Sequence, residues 1–473
     1  MTDFVFKTSP WEHQRAALEY LYKRDCAALY TAPGTGKTKV IIDLIINRGF
    51  KRVLVVCTNK GCEVWQKQFK IHSNLPSSSV LNLSGINTAR KVSALKSLPK
   101  KSNSVGITVI VCNYESVWRE PFAKELLKKS TGIDCIVCDE SHRIKTPGSK
   151  VSRFLTRLGK IVPHRYLVTG TPAAESPMDV YAQYRFLDPT IFGTSFQKFK
   201  DQYQNLDVQA TLRVGYPILD KNQPYKNLDE LHEKMFSCAF LAESTVSLPK
   251  QFNIINRYTV DKKTEELYHE LKKEGALVCK QGFLEVSNVL SMSLREQQLL
   301  SGYVQVETDA KEHKLIRVSK ERTETLRELL EQFAPNEPIV VFAKYRKDLK
   351  NIRKVCAGLG RGYSEISGTE NSQDEWDAGQ TSVIGVQYSS GSESIDLTRA
   401  RYCIYYSLTT QLALYEQSKK RVHRPGQTRS VVYYHLCGKL KKGVSIDEKI
   451  LHALKNKQDV VEYLMKTNTL SNN

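Results

Sequence analysis

The chain has 473 residues, of which 41% are hydrophobic and 25% charged; that length exceeds one ordinary core and implies two to four domains of a soluble globular protein. No apolar run approaches the roughly 20 residues that cross a bilayer, and the opening MTDFVFKTSPWEHQ lacks the basic and apolar regions of a secretory signal. A cytoplasmic compartment is therefore expected: a bacterial nucleoid or phage-infected cell, or the nucleus if the source is eukaryotic. The net charge of +20 points to a polyanionic partner, most often nucleic acid. The eleven cysteines are scattered through apolar segments. Cys135 and Cys138 form the one CxxC, but residues three apart on a strand face opposite sides, so reduced core thiols are expected rather than a metal site.

In chain order, CAALYTA (26–32) reads as a strand, followed by glycines and the helical spacing of VIIDLIINRGF. RVLVVCT (52–58), ITVIVCNY (107–114), IDCIVCDE (133–140) and YLVTG (166–170) read as further strands, with a helix over 63–72. This alternation predicts an α/β fold with a parallel sheet covered by helices on both faces. Chemistry in such sheets sits beyond the carboxyl ends of the strands, where TAPGTGKT, CTN, CNYE, DESH and TGTP all fall. Residues 191–335 are rich in charged helix formers and read as helical insertions and a linker. A second alternating set follows, with strands over 337–343, 382–388, 401–407 and 429–437 and helices over 345–356 and 412–424. The expected division is 1–190 for the first lobe, 191–335 for the insertions, 336–440 for the second lobe and 441–473 for a helical tail.

TAPGTGKTKV (31–40) follows a strand and opens a helix, which is the context of a phosphate-binding loop. Gly34 and Gly36, with Thr35 between them, let backbone N–H groups curl around an anion, and the helix directs its positive end there. Lys37 would reach the β- and γ-phosphates, and Thr38 would hold Mg²⁺. The strict pattern wants glycine where this chain has Thr31. Asp139 and Glu140 end an apolar strand, where two adjacent carboxylates repel one another and lose hydration. Asp139 can hold Mg²⁺ through water and Glu140 can orient and deprotonate an attacking water, with the cation offsetting the repulsion. His142 is either a nucleotide sensor or a satisfied core histidine.

These segments, in order and across nearly the whole chain, resemble the Swi/Snf family of superfamily-two helicase-type ATPases, which are double-stranded-DNA translocases. PWEHQ (10–14) resembles the motif whose glutamine, here Gln14, reads adenine. VLVVCTNKGCEVWQKQF (53–69), VCNYES (111–116), YLVTGTPAAESPMDVYAQYRFLDP (166–189) and FGTSFQKFKDQY (192–203) resemble successive first-lobe motifs. VVFAKYRKDL (340–349), SSGSESIDLTRA (389–400) and YEQSKKRVHRPGQT (415–428) resemble the second-lobe motifs IV, V and VI. DESH with RVHRPGQT is similar to the annealing-helicase or fork-remodelling branch and its small bacterial and phage relatives. The chain departs from the family at Ser392, Ser394 and Asp396, where glycine or asparagine is frequent, and at Thr409, Thr410 and Gln411.

The resemblance implies two tandem recA-like lobes sharing one ATP and Mg²⁺. Gln417, Arg421 and Arg424 stand at i, i+4 and i+7, which share one helix face, and Arg421 and Arg424 would act as arginine fingers. Phosphate contacts to DNA are expected from Thr58, Asn59, Asn113 and Tyr114 in the first lobe and from Ser367, Gly368, Ser389, Ser390 and Gly391 in the second. Such contacts position a protein without reading sequence. The implied function is an ATP-driven translocase on duplex or branched DNA that remodels forks or displaces bound proteins, working as a monomer motor or with targeting or recombination partners. A strand-separating helicase on DNA or RNA and a nucleotide-gated DNA clamp with little turnover are the alternatives. The short terminal regions make a bacterial or viral role in DNA repair, recombination or replication the expectation.

Overall fold

A computed structural model describes residues 4–32, 34–98, 106–242, 247–279, 282–285, 289–308, 312–391 and 395–465. They form two compact units, Met1–Ser247 with Asp459–Asn473, and Leu248–Gln458.

The first unit is built on seven strands: β1 (Cys26–Thr31), β2 (Arg52–Cys57), β3 (Val80–Asn82), β4 (Thr108–Asn113), β5 (Cys135–Asp139), β6 (His164–Thr169) and β7 (Ala239–Ala242). All pair in parallel, in the order β3-β4-β2-β5-β6-β1-β7. Successive strand residues serve opposite faces. Ala28, Tyr30, Leu54 and Val56 belong to one core with Leu155, Tyr181 and Leu187 of the helices on that side. Ala27, Leu29, Val53 and Val55 belong to a second core with Leu18, Ile41, Ile45 and Trp65 of the other helices. Both faces are therefore covered, which is why these strands read as unbroken apolar runs.

The register brings three strand ends together. Tyr30 of β1 pairs with Thr169 of β6, and Val168 of β6 pairs with Asp139 of β5. The glycine loop, the TGTP segment and the acid pair thus leave the sheet side by side.

The second unit holds β8 (Gln251–Thr259), a four-stranded antiparallel sheet of β9 (Ala276–Cys279), β10 (Gly282–Glu285), β11 (Tyr303–Glu307) and β12 (His313–Arg317), and then β13 (Ile339–Ala343), β14 (Tyr363–Ile366), β15 (Val383–Gln387), β16 (Tyr402–Tyr405) and β17 (Val431–Lys439). Its main sheet is parallel throughout, in the order β14-β15-β13-β16-β17-β8. The α/β reading with two parallel sheets holds.

The charged stretch expected to be helical contains β8 and the antiparallel sheet as well as helices. β8 reads QFNIINRYT and is exposed at most positions, so no apolar period marks it. All nine of its residues pair with β17, and that long-range pairing specifies it. β11 alternates apolar with polar residues from Val304 on, and Val304 and Val306 turn inward onto Leu271 and Leu299. Among the described residues the tail is a single helix, Ile446–Met465, and its Leu464 is buried.

Candidate active site

The loop after β1 enters the left-handed region at Gly34 (φ 84°) and Gly36 (φ 80°), a conformation glycine adopts at little cost. Gly36 caps the helix Lys37–Arg48, whose first N–H groups have no intrahelical acceptor. The loop is held from outside. Gln14 Nε2 donates to the Thr35 carbonyl at 3.0 Å, His13 Nε2 lies 3.0 Å from the same oxygen, and Gln14 Oε1 accepts from the Trp11 backbone at 2.9 Å. Inside, Thr35 Oγ1 donates to the Ala32 carbonyl at 2.7 Å and to Thr31 Oγ1 at 3.0 Å, so the threonine at the usual glycine position has a bonding role. Lys37 Nζ donates to the Thr31 and Ala32 carbonyls at 3.3 and 3.4 Å. Thr38, next in the helix, is half-buried.

A Cβ on Gly36 would lie 2.2 Å from Gln14 Nε2. Gly36→Ala is therefore expected to disrupt the loop and weaken nucleotide binding by tenfold or more, since the clash adds to the roughly 1–2 kcal/mol cost of a left-handed alanine. A fluorescent-nucleotide titration measures it.

Asp139 ends β5. Trp65 Nε1 donates to its Oδ2 at 2.8 Å, and the Glu140 backbone donates to its Oδ1 at 3.0 Å. Burial pushes Asp139 up to about 6 and the Glu140 charge adds to this, while Trp65 and the Lys37 charge pull it down. Lys37 therefore acts electrostatically on the acid pair. Glu140 adopts φ 51°, a left-handed conformation costing a non-glycine residue about 1–3 kcal/mol and typical of functional turns. Glu140 Oε2 lies 3.4 Å from His142 Nδ1 and accepts from Thr169 Oγ1 at 3.5 Å. His142 Nδ1 lies 3.2 Å from Thr169 Oγ1, and the Thr171 backbone donates to Thr169 Oγ1 at 3.1 Å. Burial pushes His142 below its ordinary range, which favours the neutral imidazole. The Thr38 hydroxyl and the adjacent carboxylates of Asp139 and Glu140 are oxygen donors of the kind a hard divalent cation takes.

Two contributors lie inside segments that resemble family motifs but were not among the expected site residues. Trp65 donates to the Asp139 carboxylate and partly offsets the upward push of burial and the Glu140 charge. Gln183, buried in the helix Val180–Leu187, accepts from Ser141 Oγ at 2.7 Å and donates to the Pro172 carbonyl at 2.7 Å, joining DESH to TGTP. A lone amide among VYAQYRFL is the nearest thing to a hint. Trp65→Phe removes a donor that favours the Asp139 carboxylate, so its pKa rises and the acid limb of turnover moves to higher pH. Paired pH–rate profiles check this.

Of the expected DNA contacts in the first unit, Tyr114 is corrected. It is 3% exposed and its hydroxyl donates to the Asp139 carbonyl at 2.7 Å, so it positions the acid pair rather than offering a donor to a phosphate. Thr58 caps the following helix, accepting from Gly61 N at 3.1 Å. Asn113 Nδ2 donates to Asn59 Oδ1 at 3.2 Å, and Asn59 is exposed. In the second unit, Ser367 and Gly368 follow β14, and Ser389, Ser390 and Gly391 lie in a short helix after β15. Those strands are parallel neighbours, so both segments leave the same edge of the sheet. Gly368 and Ser389 are exposed and Ser390 is half-buried, whereas Ser367 is buried. Ser392 and Ser394 lie outside the described residues.

Gln417 and Arg421 share the helix Leu412–Val422, but Arg424 does not. The expected i+7 face ends early because Pro425 disfavours helical backbone in the residue before it, and His423 has already left the helix at φ −102°, ψ 88°. Arg424 Nη1 donates to the Ile395 carbonyl at 3.4 Å and lies 3.8 Å from Asp396 Oδ2. Leu397 N donates to the Arg421 carbonyl at 3.0 Å, and Gln427 Nε2 donates to the Thr398 and Ala400 carbonyls at 3.0 and 2.8 Å. Motifs V and VI are thus laced together.

Residues 13–314 match the model of the SNF2-related domain, and residues 321–426 match the helicase conserved C-terminal domain. The junction between the two matches is not the junction between the structural units, because β8 belongs to the second sheet. The chain is 23% identical over 521 aligned residues to chicken DNA repair and recombination protein RAD54B, covering 95% of this chain and 53% of that protein. It is 24% identical to the Drosophila SWI/SNF-related matrix-associated actin-dependent regulator of chromatin subfamily A-like protein 1, covering 75% and 44%. The chain thus spans about half the length of these curated relatives. A Sulfolobus solfataricus SWI2/SNF2 ATPase core, solved in complex with double-stranded DNA, aligns over 98% of this chain and 94% of that one, with 17% identity and a TM-score of 0.41. The SNF2-related match spans well over half of the chain, which belongs to the Swi/Snf family of superfamily-two helicase-type ATPases.

Proposed function

We propose that this chain is a DNA-dependent ATPase that tracks along duplex DNA and remodels forks or branched intermediates, or displaces bound proteins. One observation carries the reading: Lys37, Asp139, Glu140, His142 and Thr169, drawn from three adjacent strand ends, form a single charge-linked cluster. In this reading the loop N–H groups and Lys37 bind the triphosphate, and Glu140 orients the attacking water and takes its proton. Mg²⁺, held by Thr38 and Asp139, supplies charge neutralisation when bound. His142 and Thr169 fix the Glu140 carboxylate and relay its state to TGTP. Gln14 fixes the loop and reads adenine, while Gln417, Arg421 and Arg424 serve the transferring phosphate from the second lobe. In this reading the motor halves are the two parallel sheets with their helices, which include β7 and β8. The DNA repair and recombination name of the chicken relative favours repair and recombination as the setting.

ATP turnover by the purified chain, compared across linear duplex, forked, four-way and single-stranded DNA and RNA at two salt concentrations, tests the reading. Duplex and branched DNA are expected to stimulate most, with stimulation falling steeply with salt. Stimulation only by single strands or RNA would replace a translocase with a strand-separating helicase.

A further inference from the structure

The second unit contains a cavity of ≈ 230 Å³ that the hydrolytic chemistry does not use. It lies between the helices Glu321–Glu331 and Arg346–Gly358, against the ends of β11 and β12. Four cations line it, Arg317, Arg327, Lys347 and Lys354, against one carboxylate, Glu324. Glu324 pairs with Arg327 at 3.4 Å. Among the described residues, neither Lys347 nor Lys354 has a carboxylate within ion-pair distance.

The arrangement is linear. Lys347, Asn351 and Lys354 recur at i, i+4 and i+7, which puts them on one helix face over two turns, about 10 Å. Thr323 and Arg327, four apart, face the cavity from the other helix. The floor is built rather than incidental: Gly302 adopts φ 89°, and a Cβ there would lie 2.6 Å from the Ser319 carbonyl, so only glycine lets the chain enter β11 at this approach. Tyr303, which also lines the cavity, is 2% exposed.

The same helix also reaches the segment expected to touch DNA. Arg346, the residue before Lys347, places its guanidinium 3.3 Å from where a Gly368 Cβ would be. A row of cations of this length suits successive phosphates on a strand better than one small anion. We propose that this cavity seats backbone phosphates of a bound nucleic acid, extending the DNA-holding surface of the second unit beyond residues 367–368. The proposal rests on the reading above that the chain holds DNA.

The test compares the double variant Lys347→Gln/Lys354→Gln with Lys441→Gln/Lys442→Gln, an equal charge change at exposed positions elsewhere in the same unit. Duplex binding is measured across a salt series, and thermal melting verifies that both variants fold. The cavity variant is expected to lower the slope of log affinity against log salt by about 2, one for each phosphate that a lysine no longer neutralises, with a much smaller change in the control. An unchanged slope, or equal changes in both variants, overturns the proposal. A titration with inorganic pyrophosphate distinguishes a free anion as the ligand: pyrophosphate binding abolished in the cavity variant with the DNA slope intact also overturns it. If the wild-type chain holds no DNA at all, the functional reading fails first and takes this one with it.

Discussion

Glu140→Gln is expected to lower ATP turnover about 10²- to 10⁴-fold, the contribution of a positioned general base, while leaving nucleotide binding close to wild type. Glutamine keeps the shape and can still accept from Thr169, but it cannot take a proton from water. The turn at Glu140 is held by Asp139, which accepts from the Glu140 backbone, and this bond does not depend on the side-chain charge. The variant therefore separates hydrolysis from binding. Single-turnover hydrolysis alongside nucleotide titration reads both. Near-normal turnover would remove Glu140 from the chemistry, and unchanged biological activity with turnover abolished would favour a nucleotide-gated clamp.

The second large effect concerns stability. Arg322 and Asp447 form an ion pair, each 1% exposed, that ties the helix Glu321–Glu331 to the start of the C-terminal helix. Arg322 Nε donates to Tyr258 Oη at 2.8 Å and Nη1 to Ser301 Oγ at 3.0 Å, and the Gly438 backbone donates to Asp447 Oδ2 at 3.0 Å. One guanidinium thus links β8, the strand β17 beside it and two helices. Arg322→Ala is expected to cost the second unit about 3–5 kcal/mol, because it strands a buried carboxylate. Arg322→Leu/Asp447→Leu should recover most of that loss, since it removes both charges. Trp376 is the only tryptophan in this unit and is buried, so a variant keeping Trp376 alone reports its urea transition separately. A loss below about 1 kcal/mol would contradict this account of the pair.

The parts of the fold that the sequence announced were those with strong local signals. Parallel strands buried on both faces read as runs such as RVLVVC and CIVCD, and the nucleotide loop carries its own glycines. What stayed hidden depends on distant partners. β8 is exposed and held by pairing with β17. The inward turn of Tyr114 depends on the Asp139 carbonyl, whereas its place after a strand end put it among the expected phosphate contacts. The face shared by Gln417 and Arg421 was legible from spacing, but the helix stops at Val422, and Pro425, the residue after Arg424, was the warning. The bond from Trp65 to Asp139 spans 74 residues, beyond the reach of any periodicity.

The account rests on one nucleotide controlling how tightly the chain holds a nucleic-acid backbone. The most direct measurement is duplex-DNA affinity of the purified chain at fixed salt without nucleotide, with a non-hydrolysable ATP analogue and Mg²⁺, and with ADP and Mg²⁺. Affinity is expected to change at least several-fold between the analogue and ADP states, a change abolished by Gly36→Ala. Equal affinity in all three states, in a chain shown to bind the nucleotides, would contradict it.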